Sequence, residues 1–237
     1  MSGLLALIPA LNEAATVGDV VKTVLAELGG DVVVIDDGSS DGTAAAARAA
    51  GASVLVHPFN IGVGGAIRTG LRYAASAGYE RVIQIDGDGQ HLPTEAARLL
   101  ARLDETGADI VVGSRFAAGY TVSPLRRLSM RALSRMVSSR LGVRVTDTTS
   151  GFRAFGPNAI DVFASAYPTA YLSDTVEALL IAADRGLRVA EIDVRMSPRL
   201  GGAPSSGRLR SLWHLQRVVL VVLLHRFRHP PTNRGTP

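Results

Sequence analysis

Arg81-Val-Ile-Gln-Ile-Asp86-Gly-Asp88-Gly-Gln90-His91 decides how this chain reads. A short apolar run, rich in β-branched side chains, stops abruptly at acids separated by glycine. That run has the length of a strand buried on both faces, and the acids then stand at its carboxyl end. Asp86 and Asp88 with the amide oxygen of Gln90 are hard donors of the kind that hold Mg²⁺ or Mn²⁺, cations that also take phosphate oxygens. The same Asp-Gly-Asp-Gly is a turn signature as well.

Outward from this stretch, four more apolar runs read as strands: Leu4–Ile8, Val32–Ile35, Ser53–Val56 and Asp109–Val112. Helical periodicity fills the gaps at Ala14–Leu28, Gly42–Ala50, Val63–Ala77 and Thr94–Thr106. The alternation predicts an α/β fold with a mainly parallel sheet flanked by helices. Ligands of such sheets lie outside the carboxyl ends of the strands, so the loops there are the candidates for chemistry. Carboxylates at Glu13, Asp36 and Asp37 suit the ring N–H groups and sugar hydroxyls of a nucleotide. Asp41 or Ser39 reads as a helix cap. Gly62, Gly64 and Gly65 look like a phosphate-cradling loop opening a helix. A dinucleotide fingerprint would need glycine where Ile67 stands and would follow the first strand, which excludes a nicotinamide or flavin enzyme.

The 237 residues make one large domain or two small ones, with 47% apolar and 19% charged side chains. Absence of cysteine excludes disulfide scaffolds, zinc fingers, iron–sulfur clusters and thiol nucleophiles. Of 25 cationic residues 24 are Arg, Lys22 being the exception, so lysine-based phosphate chemistry has one candidate. Residues 1–109 carry 14 acids and 7 bases, whereas residues 110–237 carry 7 acids and 18 bases. Residues 110–146 and 199–237 contain no acid and seven Arg each, an asymmetry that points to an anionic partner. Nucleic acid is a poor candidate, because Asp86 and Asp88 would repel its phosphates and aromatic residues are only 5%.

The second half is less regular. Arg115–Arg140 reads as a loop and a basic helix, and Asp147–Phe155 as polar and turn-like before a short strand. Leu172–Arg185 follows as a helix, Leu187–Val194 as a last strand and Leu200–Gly207 as a flexible link. Arg208–Arg228 is amphipathic, with Arg210, His214, Arg217, His225 and Arg228 on a cationic stripe opposite Leu212, Trp213, Leu220 and Phe227. Such a helix lies in an anionic membrane interface or packs on protein. The expected organisation is a catalytic domain over 1–207, an amphipathic basic helix over 208–229 and a disordered tail over 230–237. Met1–Ala10 lacks the basic start of a signal peptide. The apolar run Val218–Leu224 would cover roughly 10 Å as a helix, against ~30 Å of hydrocarbon, so no span is expected.

Six motifs occur in order: Pro9-Ala-Leu-Asn12-Glu13, Asp36-Asp-Gly-Ser-Ser-Asp-Gly-Thr43, Asn60-Ile-Gly-Val-Gly-Gly-Ala-Ile-Arg68-Thr-Gly70, Asp86-Gly-Asp-Gly-Gln90, Gly113-Ser-Arg115-Phe116 and Asp147-Thr-Thr-Ser-Gly-Phe-Arg153. Together they resemble the family 2 inverting glycosyltransferases of the GT-A (Rossmann-like) fold, and among these the polyprenyl-phosphate sugar transferases of the dolichol-phosphate mannose synthase group. The resemblance spans about residues 4–207. It implies that Pro9, Asn12, Glu13, Asp36, Asp37 and Gly65 lie along the nucleotide sugar, with Asp86, Asp88 and Gln90 at the divalent metal and diphosphate. Arg199 matches a late Arg that reaches the diphosphate from a flexible loop. That loop often ends Gly-x-Ser-Lys, and here it ends Ser205-Ser206, without the lysine.

Arg115, Arg126 and Arg127 match the acceptor-phosphate positions, and guanidinium forks suit phosphate. The implied reaction is metal-dependent transfer of a hexose from a GDP-mannose- or UDP-glucose-type donor to polyprenyl phosphate, with Asp88 and Arg115 at the chemistry. A phosphate monoester, with its second pKa near ~6, is already anionic and needs no general base. The alternative is a hydroxyl acceptor, for which Asp174 would be the base, although Asp174 reads first as a helix cap. The resemblance also implies a cytoplasmic enzyme peripheral to the inner face of the membrane, with homo-oligomerisation left open. A sugar-1-phosphate nucleotidyltransferase would need a Gly-rich, Lys-bearing first loop, which Pro9–Glu13 is not.

Overall fold

Strands and helices alternate along the chain as the two periods require. The structure, a computed structural model, describes residues 3–115, 124–169 and 174–197, with side chains of the helix beginning at 124 described from Met130. The order is β1 (Leu4–Ala10), α1 (Val17–Leu28), β2 (Asp31–Asp36), α2 (Thr43–Ala49), β3 (Ser53–Val56), α3 (Val63–Ala77), β4 (Arg81–Gln84), α4 (Pro93–Thr106), β5 (Ile110–Ser114), α5 (Pro124–Leu141), β6 (Arg153–Phe155), α6 (Pro157–Ala166), α7 (Asp174–Asp184) and β7 (Val189–Asp193).

Among the described residues the strands form one sheet in the order β3-β2-β1-β4-β6-β5-β7. Its pairs are parallel except those of β6, which runs antiparallel between β4 and β5. Period-2 alternation divides the core. Leu5, Leu7, Val33, Ile35, Val82 and Phe155 face α3, α5, α6 and α7. Leu4, Ala6, Ile8, Val34, Ile83 and Ala154 face α1, α2 and α4. Both faces of the sheet are thus covered, which is why its strands read as continuous apolar runs.

Two elements depart from the sequence reading. The short strand sits at Arg153–Phe155, inside the segment expected to be turn-like, because its three residues pair on both sides with strands far away in sequence. Helix α6 was not expected at all. It begins at Pro157, in the first-turn position where the missing N–H costs nothing, and buries Ala159, Ile160 and Phe163 on the sheet. The expected helix over 208–229 and tail over 230–237 lie outside the described residues.

Candidate active site

In the sheet order, β2 and β3 lie on one side of β1 and β4 on the other, so the loops leaving β1 and β4 diverge and leave a crevice between them. Thr16 spans it, its Oγ1 donating to the carbonyl of Gly87 at 2.9 Å. The Glu13 carboxylate lies so close to Gly87 that a Cβ there would collide with Oε2. A side chain at 87 would therefore have to displace the Glu13 carboxylate, the far end of a flexible side chain. Pro9 is buried in β1, in register with Ile35 of β2.

At the β2 side the predicted residues hold backbone. Asn12, the one non-glycine residue with positive φ among those described (54°), accepts from Ser40 N at 2.9 Å, while its own N–H donates to Ser39 Oγ at 2.9 Å. Asp36 accepts from Ser39 N at 2.9 Å. Asp37 is 3% exposed and receives Ile61 N at 3.0 Å, Gly62 N at 2.8 Å and His57 Nδ1 at 2.8 Å. The other ring nitrogen of His57 meets Thr69 Oγ1 at 3.0 Å. A buried carboxylate thus satisfies the donors at the start of α3 from a neighbouring strand. Gly65, expected at the phosphates, is covered by the Ile61 side chain, and Gly64 packs against Pro168 O and Asp174 Cβ.

The β4 side is arranged differently. The Asp86 side chain is 42% exposed and its carboxylate lies 3.6 Å from His91 Nε2. Its backbone N–H donates to His91 Nδ1 at 3.0 Å, so that nitrogen is the unprotonated one and the proton sits on Nε2. Burial holds the His91 pKa below its ordinary value, against the pull of Asp86 and Asp88. The ring stacks on Phe152 with centroids 4.3 Å apart. His91 therefore clamps Asp86 as a neutral imidazole. Asp88 is mostly buried, and its Oδ1 accepts from Gln90 N at 3.0 Å. The Gln90 carbonyl accepts from Ser197 N at 2.9 Å, bringing the chain after β7 to this rim.

Asp86, Asp88 and Gln90 offer oxygen donors on one short loop, and no group of three or more His, Asp or Glu side chains that could hold a metal occurs among the described residues. That donor set fits Mg²⁺ or Mn²⁺ held by one or two carboxylates and completed by substrate phosphates, the usual habit of Mg²⁺.

Beyond β5, Arg115 forks onto Asp147, Nε to Oδ2 at 2.7 Å and Nη2 to Oδ1 at 3.0 Å. Burial opposes ionisation of Asp147, but the guanidinium outweighs it and holds the carboxyl below its ordinary range. Glu191 of β7 anchors this loop, accepting Thr146 N and Asp147 N, each at 2.8 Å. Asp174 is the first residue of α7 and 4% exposed. Burial raises its pKa, opposed by Arg153 and by the N–H of Thr175. Arg126 and Arg127 fall on α5 without described side chains, and Arg199 lies outside the described residues.

His57, His91 and Glu191 were not singled out from sequence. Only His91 carried a signal, standing five residues after Asp86 in the same loop. No helix among the described residues is long and apolar enough to cross a membrane.

A family model described as Glycosyl transferase family 2 matches residues 6–165. The polyprenol monophosphomannose synthase of Mycolicibacterium smegmatis is 32% identical over 74% of this chain and 70% of its own. The undecaprenyl-phosphate mannosyltransferase of Micrococcus luteus is 33% identical over 75% of this chain and 76% of its own. Among solved structures, glucosyl-3-phosphoglycerate synthase of Mycobacterium tuberculosis, in complex with Mg²⁺ and uridine diphosphate, superposes with a TM-score of 0.72 at 25% identity. It covers 98% of this chain and 82% of its own.

Proposed function

Because the chain belongs to glycosyl transferase family 2, and is a nucleotide-sugar-dependent transferase, we propose that it moves a hexose from a UDP- or GDP-linked donor to a polyprenyl phosphate with inversion at the anomeric carbon. The observation that carries this reading is the exposed Asp86 carboxylate, clamped by neutral His91 at the crevice between β1 and β4. Two of the relatives are named for polyprenol- or undecaprenyl-phosphate acceptors, which supports the lipid phosphate. The basic second half of the sequence supports an anionic acceptor.

Asp86, Asp88 and Gln90 would hold Mg²⁺ or Mn²⁺, which when bound neutralises charge on the departing diphosphate. Glu13 and the β1 and β2 loops would line the nucleotide. An oxygen of the acceptor phosphate attacks the anomeric carbon, the bond from that carbon to the diphosphate oxygen breaks, and nucleoside diphosphate leaves. No proton need be removed from an acceptor already anionic. Arg115, with Arg126 and Arg127, would meet the acceptor phosphate, and Arg199 the donor diphosphate. The enzyme would work at the cytoplasmic face of the membrane, with the basic sequence over 208–229 meeting the interface.

One observation favours a hydroxyl acceptor instead. Asp174 is buried with a raised pKa, as a general base would be. The solved relative is named for a phosphoglycerate acceptor, which makes that compound the natural soluble comparison. The test is a panel of UDP- and GDP-sugars against a short-chain polyprenyl phosphate and 3-phosphoglycerate, with and without Mg²⁺ or Mn²⁺. Metal-dependent glycosylation of the lipid phosphate is the expected result. Transfer to phosphoglycerate alone would establish the second reading, and no transfer in any arm would overturn both.

A further inference from the structure

Arg153 is the largest fully buried side chain among the described residues, 1% exposed, and it carries a charge. Among the described residues it forms no salt bridge, and Asp174 and Asp147 act on it only through space. Its guanidinium donates, among the described residues, to main-chain carbonyls: Nε to Ser150 at 2.9 Å, and Nη2 to Thr175 at 2.8 Å and Thr148 at 3.4 Å. A buried cation without a bonded anion is costly, so the geometry it enforces becomes the question.

The three carbonyls belong to two segments. Thr148 and Ser150 follow Asp147, which carries Arg115. Thr175 follows Asp174, whose Cβ packs against Gly64 at the start of α3. One planar fork therefore ties the loop entering β6 to the first turn of α7. Tyr167 and Gln84 line the same buried layer, and among the described residues neither the phenol oxygen nor the Gln84 amide oxygen has a hydrogen-bond partner.

We propose that Arg153 is a positioning residue that fixes the Arg115–Asp147 pair and Asp174 at a set spacing across the rim. The inference goes beyond the choice of acceptor and holds for either one. Lysine would keep the charge but present a point donor, unable to hold both segments in one plane. Methionine would keep most of the volume and remove every donor from three carbonyls.

The test compares Arg153→Lys and Arg153→Met in the full chain by hydrogen exchange and steady-state kinetics. In both variants amides of 147–151 and 174–177 should exchange about tenfold faster together, while α1, α2 and α4 keep their protection. With whichever donor and acceptor the wild type uses, kcat of Arg153→Lys should fall about ten- to a hundredfold. The donor KM should stay within about threefold, since binding groups on β1 and β2 are untouched. Wild-type exchange in both segments, loosening of only one, uniform loosening of the sheet, or unchanged kcat in Arg153→Lys would each overturn the proposal. Should Arg153→Met fail to fold, Arg153→Lys decides alone. Should the wild type transfer no sugar in the panel, the functional reading fails while the exchange result still judges Arg153.

Discussion

Asp37 and Asp86 are the same residue type at the same edge of the same sheet, and they are used in opposite ways. Asp37, after β2, is buried, and two backbone N–H groups and an imidazole converge on its carboxylate. Asp86, after β4, has its backbone N–H and one flank held by His91, and its carboxylate stands partly in solvent. The first builds a loop, and the second is presented by one. An acid at a strand end is therefore not yet a ligand; what matters is how many protein donors already converge on it.

The sharpest way to break this comparison is Asp86→Asn. If the carboxylate is presented for chemistry, turnover should fall by about 10²–10³-fold, the scale of losing one electrostatic stabiliser. Thermal stability should meanwhile move by no more than about 0.5 kcal/mol, as for other exposed substitutions. Equal losses of stability and activity would mean that Asp86 is structural too. Asp37→Asn should show the reverse balance. A charged acceptor serving three donors is lost, and chemical denaturation should register about 2–3 kcal/mol of destabilisation. A variant as stable as the wild type would show that the β2 carboxylate is not the loop anchor described above.

Acid titration separates two further carboxylates. Asp147 has a depressed pKa in the folded protein, so its pairing stabilises above the ordinary carboxylate value near ~3.9 and is lost as pH falls through the folded value. Urea unfolding between neutral pH and strong acid should show that loss, and Asp147→Asn should remove its pH dependence. Asp174 has the opposite sign: its pKa is raised, so ionisation opposes folding as pH climbs past the ordinary value. Asp174→Asn should therefore leave stability at neutral pH unchanged or raise it by up to about 1 kcal/mol. Its turnover is the smallest expected change, within about threefold for a phosphate acceptor, whereas a hydroxyl acceptor predicts collapse by about 10²-fold or more.

Much of this was legible in the chain. Period and strand length located six of the seven strands, the five in the first 114 residues and β7 at the far end, together with the four acid- and glycine-bearing loops of the first half. The partly solvent-facing place of Asp86 at a strand end and the start of α7 at Asp174, two residues into the expected helix, also followed from residue type and place. The partners did not. Asp37 finds His57 twenty residues on, Arg115 finds Asp147 across 32, and Glu191 reaches back 45 residues to Thr146. Hydrogen bonds of that span leave no periodic trace, and a single Glu in a strand looks like any half-exposed strand residue. Strand β6 escaped placement for the same reason, since three residues paired to distant neighbours have no pattern of their own.

That reversed strand has a consequence for how the protein tolerates change. Because β6 runs against its neighbours, the loop before it, rather than the one after it, arrives at the working edge. Residues 147–152 thereby share that edge with the loops leaving β4 and β5, while the turn from β6 into Pro157 lies at the opposite end with Asp109 and Arg188. New termini or inserted sequence would be accommodated at that far end without touching the edge. An insertion between Asp147 and Phe152 would instead fall on the working edge, directly beside the Arg115–Asp147 pair.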